Sequence, residues 1–501
     1  MRPTVFDNSR PGVSGFSIHD AEFSTDAPVE FFSGLRTKPL GLPELTEIEV
    51  VRHYTRLSLD NHGVDSGTYP LGSCTMKYNP KRNDAVANLS GFRDAHPLQP
   101  RETLAGLWEM MAQLQRYISE LMGMDEVSLQ PAAGAHGELA GLLIIRKYFQ
   151  QKNEKRFVVL IADAAHGTNP ASAAMAGFNC RIIPTTREGL MDIDALKNEL
   201  NEDVAALMLT NPSTLGLFEE NIEEIASLIH ANGSLLYYDG ANMNALMGLA
   251  RPGDMGFDVM HINVHKTLST PHGGGGPGAG PIGVKAFLKE YLPFTPSPPE
   301  GEGWGGGAPH VPKSESGTTP LPTSPSRREE FHSLSIGSVK AFYGHVAVLA
   351  RAYAYILTMG PDGLKEASEN AVLNANYIQA ELADFLPPVF DKLCMHECLL
   401  SGNKLSVSAY SFAKRLIDYG IHPPTLVGAG CVYFGEDLKS AMLIEPTETE
   451  TREDLDDMIA VFRRILSEMI EDKSLVETAP HSSAVGKVEA RAQEADSDQA
   501  A

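Results

Sequence analysis

Residues 234–267 read SLLYYDGANMNALMGLARPGDMGFDVMHINVHKT. Two apolar runs stand out, SLLYYD at 234–239 and VMHINV at 259–264. Each is short and neither alternates with polar residues, which is the pattern of a strand buried on both faces. The first run ends on a carboxylate, Asp239, and the second is followed directly by His265 and Lys266. Asp239 and Lys266 are 27 residues apart, room for a crossover and the next parallel strand.

Working outward, FVVLIA at 157–162 and VAALMLT at 204–210 have the same character. Helical stretches near 192–201 and 221–232 lie between the runs. The second sets Ile222, Ile225, Leu228 and Ile229 on one face, with Gly233 just past its end. This alternation predicts an α/β fold, a mostly parallel sheet with helices on both faces. Ligands of such sheets gather at the carboxyl ends of the strands.

Upstream, Leu104, Leu107, Met111, Leu114, Ile118 and Leu121 recur at three- and four-residue steps, an amphipathic helix that Gly123 can stop. A second helix is expected from about His136 to Gln150. Residues 1–100 are turn-rich with little periodicity and read as an extended arm. Its apolar residues Phe31, Phe32, Leu35, Leu40 and Leu42 need an outside surface. The expected division is the arm, a large domain over 101–291, a Pro/Gly-rich disordered insert over 292–334, a smaller C-terminal α/β domain over 335–478, and a frayed tail over 479–501.

The chain has 501 residues, enough for two or three domains, with 43% apolar and 21% charged residues. A formal net charge of −23 argues against a nucleic-acid or anionic-membrane surface. Five cysteines are too few for a disulfide framework in so long a chain. Cys394 and Cys398 bracket His396 without a second matching pair, so they read as ordinary thiols and no metal is expected. The first residues carry acids and no apolar stretch, unlike a secretory or transit leader. No run is long enough to span a bilayer. The cytoplasm is the expected compartment.

The strands deliver polar groups to one edge: Asp163 to Asn169 after the first, Asn211 after the next, Asp239 to Asn242 after the third, and His265-Lys266 after the fourth. Each has an ordinary reading by itself. Asp239 could cap a turn, His166 could be a satisfied surface histidine and Lys266 could be solvated. The Gly273–Gly276 run could be a flexible loop; no Gly-Lys-Ser/Thr closes it into a nucleotide loop. Together they match the needs of an aldehyde cofactor on a pyridine ring, pyridoxal phosphate. Lys266 would form the Schiff base and Asp239 would face the ring nitrogen. His166 would stack on the ring, and the amides of the Ala133-Gly134-Ala135-His136-Gly137 turn would take the phosphate.

Several blocks go further. HINVHKTLSTPHGGGGPGAGPIGV (261–284), HYTRLSLDNHGVDSGTYPLGSCTMKYNP (53–80), SLQPAAGAHGELAGLLIIR (128–146), HGTNPASAAMAGF (166–178) and MLIEPTETETREDLD (442–456) resemble glycine dehydrogenase (decarboxylating), the P-protein of the glycine cleavage system. The resemblance runs from about residue 40 to about 480 and is to subunit 2, the cofactor-bearing half of the split form. It implies the fold-type I, aminotransferase-like pyridoxal-phosphate fold, with Lys266 as the Schiff-base lysine and Lys266 or His265 handling protons. It carries Asp239, His166, Ala133, Gly134 and Thr168 over as cofactor contacts, and Asn211 is counted with them from its place at a strand end. It also implies decarboxylation of glycine, transfer of the aminomethyl group to the lipoyl arm of the H-protein, and a heterotetramer with two copies each of this chain and subunit 1. Ser73, Cys74 and Thr75 fall in a matching block without an assigned role. Residues 292–334 and 425–441 depart from the family pattern. Other readings are another fold-type I amino-acid decarboxylase or lyase, and a non-catalytic partner subunit.

Overall fold

The four apolar runs are the central strands of a seven-stranded sheet. In the computed structural model, which describes residues 3–15, 38, 40–96, 99–273, 278–293, 334–426 and 438–483, its strands are β1 Glu126–Ser128, β2 Val158–Ala162, β3 Asn179–Ile183, β4 Val204–Thr210, β5 Leu235–Gly240, β6 Val259–Ile262 and β7 Ile282–Val284. Their order is β1-β7-β6-β5-β4-β2-β3. From β3 to β6 every neighbouring pair is parallel, and β7 runs antiparallel to both β6 and β1. All residues of β4 and β5 are buried, which is why their sequences carry no alternation. β3 is an edge strand with a mostly half-buried pattern, and β1 and β7 have three residues each; none of these gives a periodic signal.

Helix Gly134–Gln151 packs on one face of the sheet, where Leu142, Ile145 and Phe149 meet Val159, Met208 and Tyr237. Helix Ala105–Met122 lies on the other, with Leu114 and Ile118 in the same core as Leu207, Leu236 and Met260. Gly123 ends that helix in a left-handed conformation at φ 68°, as its position predicts.

A second sheet is antiparallel: β8 Cys398–Ser401, β9 Thr425–Leu426 and β10 Ala441–Ile444, in the order β8-β10-β9. Phe412, Leu416, Phe462 and Ile465 cover it in a core of their own. The helical stretch Val346–Leu382 joins the two cores. It breaks at Gly360 (φ 62°), followed by Pro361. Leu349 and Tyr355 before the break belong to the large core, and Ile378 and Leu382 after it belong to the small one.

The N-terminal arm differs from the expectation. It contains helices Glu47–Leu59, Lys81–Ala87 and Ser90–Arg93. The first opens on a complete capping box: the Thr46 side chain accepts from the Glu49 N–H, and Glu49 accepts from the Thr46 N–H. None of its residues is buried, and Ile48, Val51, Tyr54 and Leu59 stand in solvent. Further along, Leu71 bridges to Ile444, and the Thr68 and Pro70 carbonyls accept from the backbone of His422 and Glu445. The arm thus threads along the small sheet toward the large one. Leu40 and Leu42 are exposed, whereas Phe31, Phe32 and Leu35 lie outside the described residues. So do 294–333 of the insert, 427–437 of the second divergent passage, 274–277 of the glycine run and 484–501 of the tail. Among the described residues no helix is long and apolar enough to cross a membrane.

Candidate active site

Lys266 sits in the short helix Val264–Thr267 at the carboxyl end of β6, and Asp239 lies near the carboxyl end of the neighbouring β5. The parallel register sets Asp239 beside His261. Both Asp239 and Lys266 are buried, at 1% and 8% exposure. A buried carboxylate survives only with partners. Asp239 Oδ2 accepts from Asn169 Nδ2 at 2.8 Å and Oδ1 from the Ala241 N–H at 3.0 Å. His261 Nε2 stands 3.4 Å from Oδ1, and its Nδ1 meets the Tyr237 hydroxyl at 2.8 Å. Burial alone would raise the Asp239 carboxyl. The charge of His261, the two hydrogen bonds and Lys266 outweigh it and hold the group below its ordinary value. Asp239 is therefore an anion fixed at the strand end.

The Lys266 Nζ donates to the Ser73 carbonyl at 2.6 Å. This contact was not foreseen, because 193 residues separate the two in sequence. His265, offered as a proton carrier, is pushed down to about 3 by burial, with Lys266 and His272 adding to the effect. It is thereby a neutral ring and a weak base.

His166 is exposed beside helix Thr168–Met175, its Nδ1 2.8 Å from Thr168 Oγ1. Thr168 Oγ1 in turn donates to Glu138 Oε1 at 2.7 Å, and Ser172 Oγ donates to Glu138 Oε2 at 2.9 Å. His166 and Thr168 thus belong to one network whose anchor, buried Glu138, was missed, as was His261, while Asn169 was named at the strand-end edge without a role. Ala133 is the extended N-cap of helix Gly134–Gln151, and the first N–H groups of such a helix have no acceptor within it. The turn lies tight on the sheet: a Cβ on Gly134 would come 2.4 Å from the Asn263 side chain, and one on Gly280 would come 2.1 Å from the Ala133 carbonyl. Asn211 is fully buried but turned partly to structural use, since its Oδ1 accepts from the Glu219 N–H at 2.9 Å. Its Nδ2 has no partner. The same holds for Thr210 Oγ1, Asn169 Oδ1, Asn263 Oδ1 and Thr267 Oγ1. A cluster of unsatisfied buried polar atoms at strand ends is the mark of a site that receives a polar ligand.

Two family models match: "Glycine dehydrogenase, C-terminal domain" over residues 367–483 and "Aminotransferase class-V" over 136–276. A probable glycine dehydrogenase (decarboxylating) subunit 2 from Caldanaerobacter subterraneus subsp. tengcongensis is 49% identical over 497 residues, covering 97% of this chain and 96% of the relative. The protein of the same name from Listeria welshimeri is 50% identical over 493 residues, covering 97% and 95%. This chain belongs to the glycine dehydrogenase (decarboxylating) subunit 2 family. A solved glycine decarboxylase (P-protein) of the glycine cleavage system, in inhibitor-bound form, superposes with a TM-score of 0.68 at 21% identity, over 88% of this chain and 93% of that one. A NifS-like protein superposes at 0.59 with 14% identity, over 80% and 99%. These likenesses establish the fold as fold type I, the aminotransferase-like architecture.

In this glycine dehydrogenase subunit, the small sheet adds a second polar cluster beside Lys266. His396, Glu397 and Glu445 are fully buried, and ligand atoms from the three lie within 4.8 Å of one another. The spacing would suit a metal, but each carboxylate already accepts a backbone N–H: Ser73 N donates to Glu397 Oε2 at 2.7 Å and Thr75 N donates to Glu445 Oε2 at 2.9 Å. Burial, then the charges of Lys266 and Lys77, push His396 down to about 3, and a positive field of that kind works against a cation. Cys394 and Cys398 flank the cluster as free buried thiols. Deeper still, Lys77 Nζ donates to Glu448 Oε1 at 2.6 Å, Asn244 Oδ1 at 2.8 Å and the Thr267 carbonyl at 3.0 Å. That ties the arm to the residue next to Lys266.

Proposed function

We propose that this chain is the cofactor-bearing subunit of a glycine decarboxylase, which binds pyridoxal phosphate, decarboxylates glycine and passes the aminomethyl group to the lipoyl arm of the H-protein. The observation that carries the reading is the pair of buried groups at adjacent strand ends, Lys266 and anionic Asp239, in a chain of this family. The residues present fit the cofactor. Lys266 would hold the aldehyde carbon and Asp239 the ring nitrogen. His166 would lie over the ring, and the free amides after Ala133, with Thr168, would meet the phosphate. The unpartnered Asn211 Nδ2 faces the same need for a polar partner. When bound, the cofactor supplies an electron sink for the pair left behind by carbon dioxide.

The protein's own part is electrostatic and steric. Asp239 stays charged at neutral pH because His261 lies beside it and Asn169 and Ala241 donate to it, so it can favour a cationic ring nitrogen. Lys266 is aimed by the Ser73 carbonyl and can hold or return a proton at the reacting carbon. His265 and His396 remain neutral and keep further positive charge away from the lysine.

The partner is subunit 1, in a heterotetramer with two copies of each chain. The exposed apolar face of helix Glu47–Leu59 is the kind of surface that such a contact would cover. The free thiols and the acidic surface suit the cytoplasm. The test is reduction of the holoprotein with borohydride, followed by mass spectrometry to locate the labelled lysine. In parallel, carbon dioxide release from glycine and from other amino acids is measured with subunit 1 and lipoylated H-protein present. Label on Lys266 and glycine-specific release are expected. Label on another lysine, or release from a different amino acid only, would sink the reading.

A further inference from the structure

The turn Ser73-Cys74-Thr75 is the part of the site that the reaction leaves unexplained. Ser73 and Thr75 both hold left-handed backbone, at φ 64° and 47°. Neither is glycine, and such conformations persist only where the surroundings enforce them. Gly72, just before the turn, is pressed onto Leu443: a Cβ there would come 2.4 Å from the Leu443 side chain and 2.6 Å from its carbonyl. The Gly72 carbonyl accepts from Thr425 Oγ1 at 2.8 Å, which fixes the approach to the small sheet.

What enforces the turn itself is a pair of glutamates. Glu397 precedes β8 and Glu445 follows β10, and the two strands pair with Ile444 opposite Cys398. The register therefore sets both side chains at one end of the small sheet, facing the turn. The N–H of Ser73 donates to Glu397 Oε2 at 2.7 Å, and the N–H of Thr75 donates to Glu445 Oε2 at 2.9 Å. The Ser73 carbonyl, left pointing the other way, accepts from Lys266 Nζ at 2.6 Å. Glu397 is itself steadied by Asn242 Nδ2, 3.4 Å from Oε1, on the segment that follows Asp239. Two fully buried carboxyl groups this close are costly: burial and then the charge of Glu445 push Glu397 well up, while burial, with Glu448 adding to it, pushes Glu445 to about 7. Stability alone would favour apolar residues at such positions.

We propose that Glu397 and Glu445 are positioning residues for Lys266: by gripping the Ser73 and Thr75 amides from the small sheet, they hold the turn in left-handed backbone so that the Ser73 carbonyl aims the lysine. The inference rests on the reading of Lys266 as the Schiff-base lysine, but its first measurement does not need the cofactor. In the full-length chain without cofactor, hydrogen–deuterium exchange is followed across residues 71–77 in the parent and in Glu397→Ala, Glu445→Ala and the matching Gln variants. Loss of a hydrogen bond to a carboxylate should speed exchange at the Ser73 or Thr75 amide by roughly tenfold or more. Gln, whose carbonyl can accept the same N–H, should restore the protection. In the holoprotein, the pH titration of the lysine Schiff-base absorbance should move by about half a unit or more in the Ala variants.

A residue that only filled space would lower the melting temperature and leave both readouts at parent values; that result overturns the proposal, as does a Gln variant exchanging as fast as Ala. If an Ala variant does not fold, Glu397→Asp and Glu445→Asp keep the carboxyl group, shorten the reach, and are expected to give the same two changes. Should borohydride label some other lysine, the functional reading fails while the exchange result still decides whether the glutamates hold the turn.

Discussion

Replacing Asp239 with Asn separates the two jobs assigned to this side chain, because the amide keeps the shape and removes the charge. In the native chain both oxygens are acceptors, Oδ2 for Asn169 Nδ2 at 2.8 Å and Oδ1 for the Ala241 N–H at 3.0 Å. Asn offers one acceptor and one NH2, so one of those two donors must face another donor. A lost hydrogen bond to a charged group costs about 1.5–3 kcal/mol. Relief from burying a charge at 1% exposure offsets part of that. The folded chain should therefore lose only about 1–2 kcal/mol. The Asp239 carboxyl is held below its ordinary value, so its stabilising contribution is complete at neutral pH and fades as pH falls through that lowered value. The stability gap between parent and variant should close there. The catalytic loss should be larger, because the anion is no longer available to favour a cationic ring nitrogen. About a hundredfold in turnover, or roughly 2.7 kcal/mol, is expected. The assay is glycine-dependent carbon dioxide release with subunit 1 and lipoylated H-protein, normalised to bound cofactor by absorbance. Unchanged turnover at full cofactor content would show that Asp239 is only a strand-end anchor and does not face the ring.

Two further outcomes follow from the packing. Glu448→Gln leaves the ammonium of Lys77 buried without its anion and should cost about 3–5 kcal/mol in chemical denaturation at pH 7. Burial works against the Lys77 charge, but Glu448 and Tyr355 raise the group above its ordinary value. The parent should keep this contribution through neutral pH and lose it only as pH rises through that raised value. Gly280→Ala sets a Cβ 2.1 Å from the Ala133 carbonyl and must displace the turn that opens helix Gly134–Gln151. Cofactor affinity, read by fluorescence titration, should fall about tenfold. Gly91→Ala, where a Cβ meets nothing within 4 Å, should leave it unchanged.

The large sheet was legible because its central strands are buried on both faces and end on polar residues. VAALMLT and SLLYYD carry both signals, and the structure places β4 and β5 within those runs or one residue beyond them. β1, β3 and β7 were not legible. Three residues hold no period, and an edge strand such as β3 needs no continuous apolar run. Lys266 and Asp239 could be paired from sequence because one crossover joins them. The contacts of Ser73 with Lys266 and Glu397 span 193 and 324 residues, and no local pattern records them. The Glu47–Leu59 helix had a local signature, Thr46 followed three residues later by Glu49, which the reading of residues 1–100 as an extended arm passed over. His261 is a partner of Asp239 through strand register and Asn169 through the placing of helix Thr168–Met175, neither of which sequence alone fixes.

The long-range contacts also decide what the large sheet can do by itself. A segment limited to its strands would retain Lys266 and Asp239 with Asn169 and His261, so the anion and the lysine would still stand at adjacent strand ends. It would lack the Ser73 carbonyl that Lys266 reaches, and the Lys77 ammonium that bonds the Thr267 carbonyl one residue away. Both come from the arm. The arm in turn is held by Glu397, Glu445 and Glu448, all from the C-terminal part of the chain. The lysine is therefore placed by three distant stretches at once, and Lys266, Lys77, Glu397 and Glu445 each have their nearest partner on a different stretch. Removing any one stretch would leave buried polar groups of the other two unpaired, a penalty of the kind that makes ordering cooperative. The sheet supplies the reactive pair, and the arm and the small sheet together fix the direction in which Lys266 points.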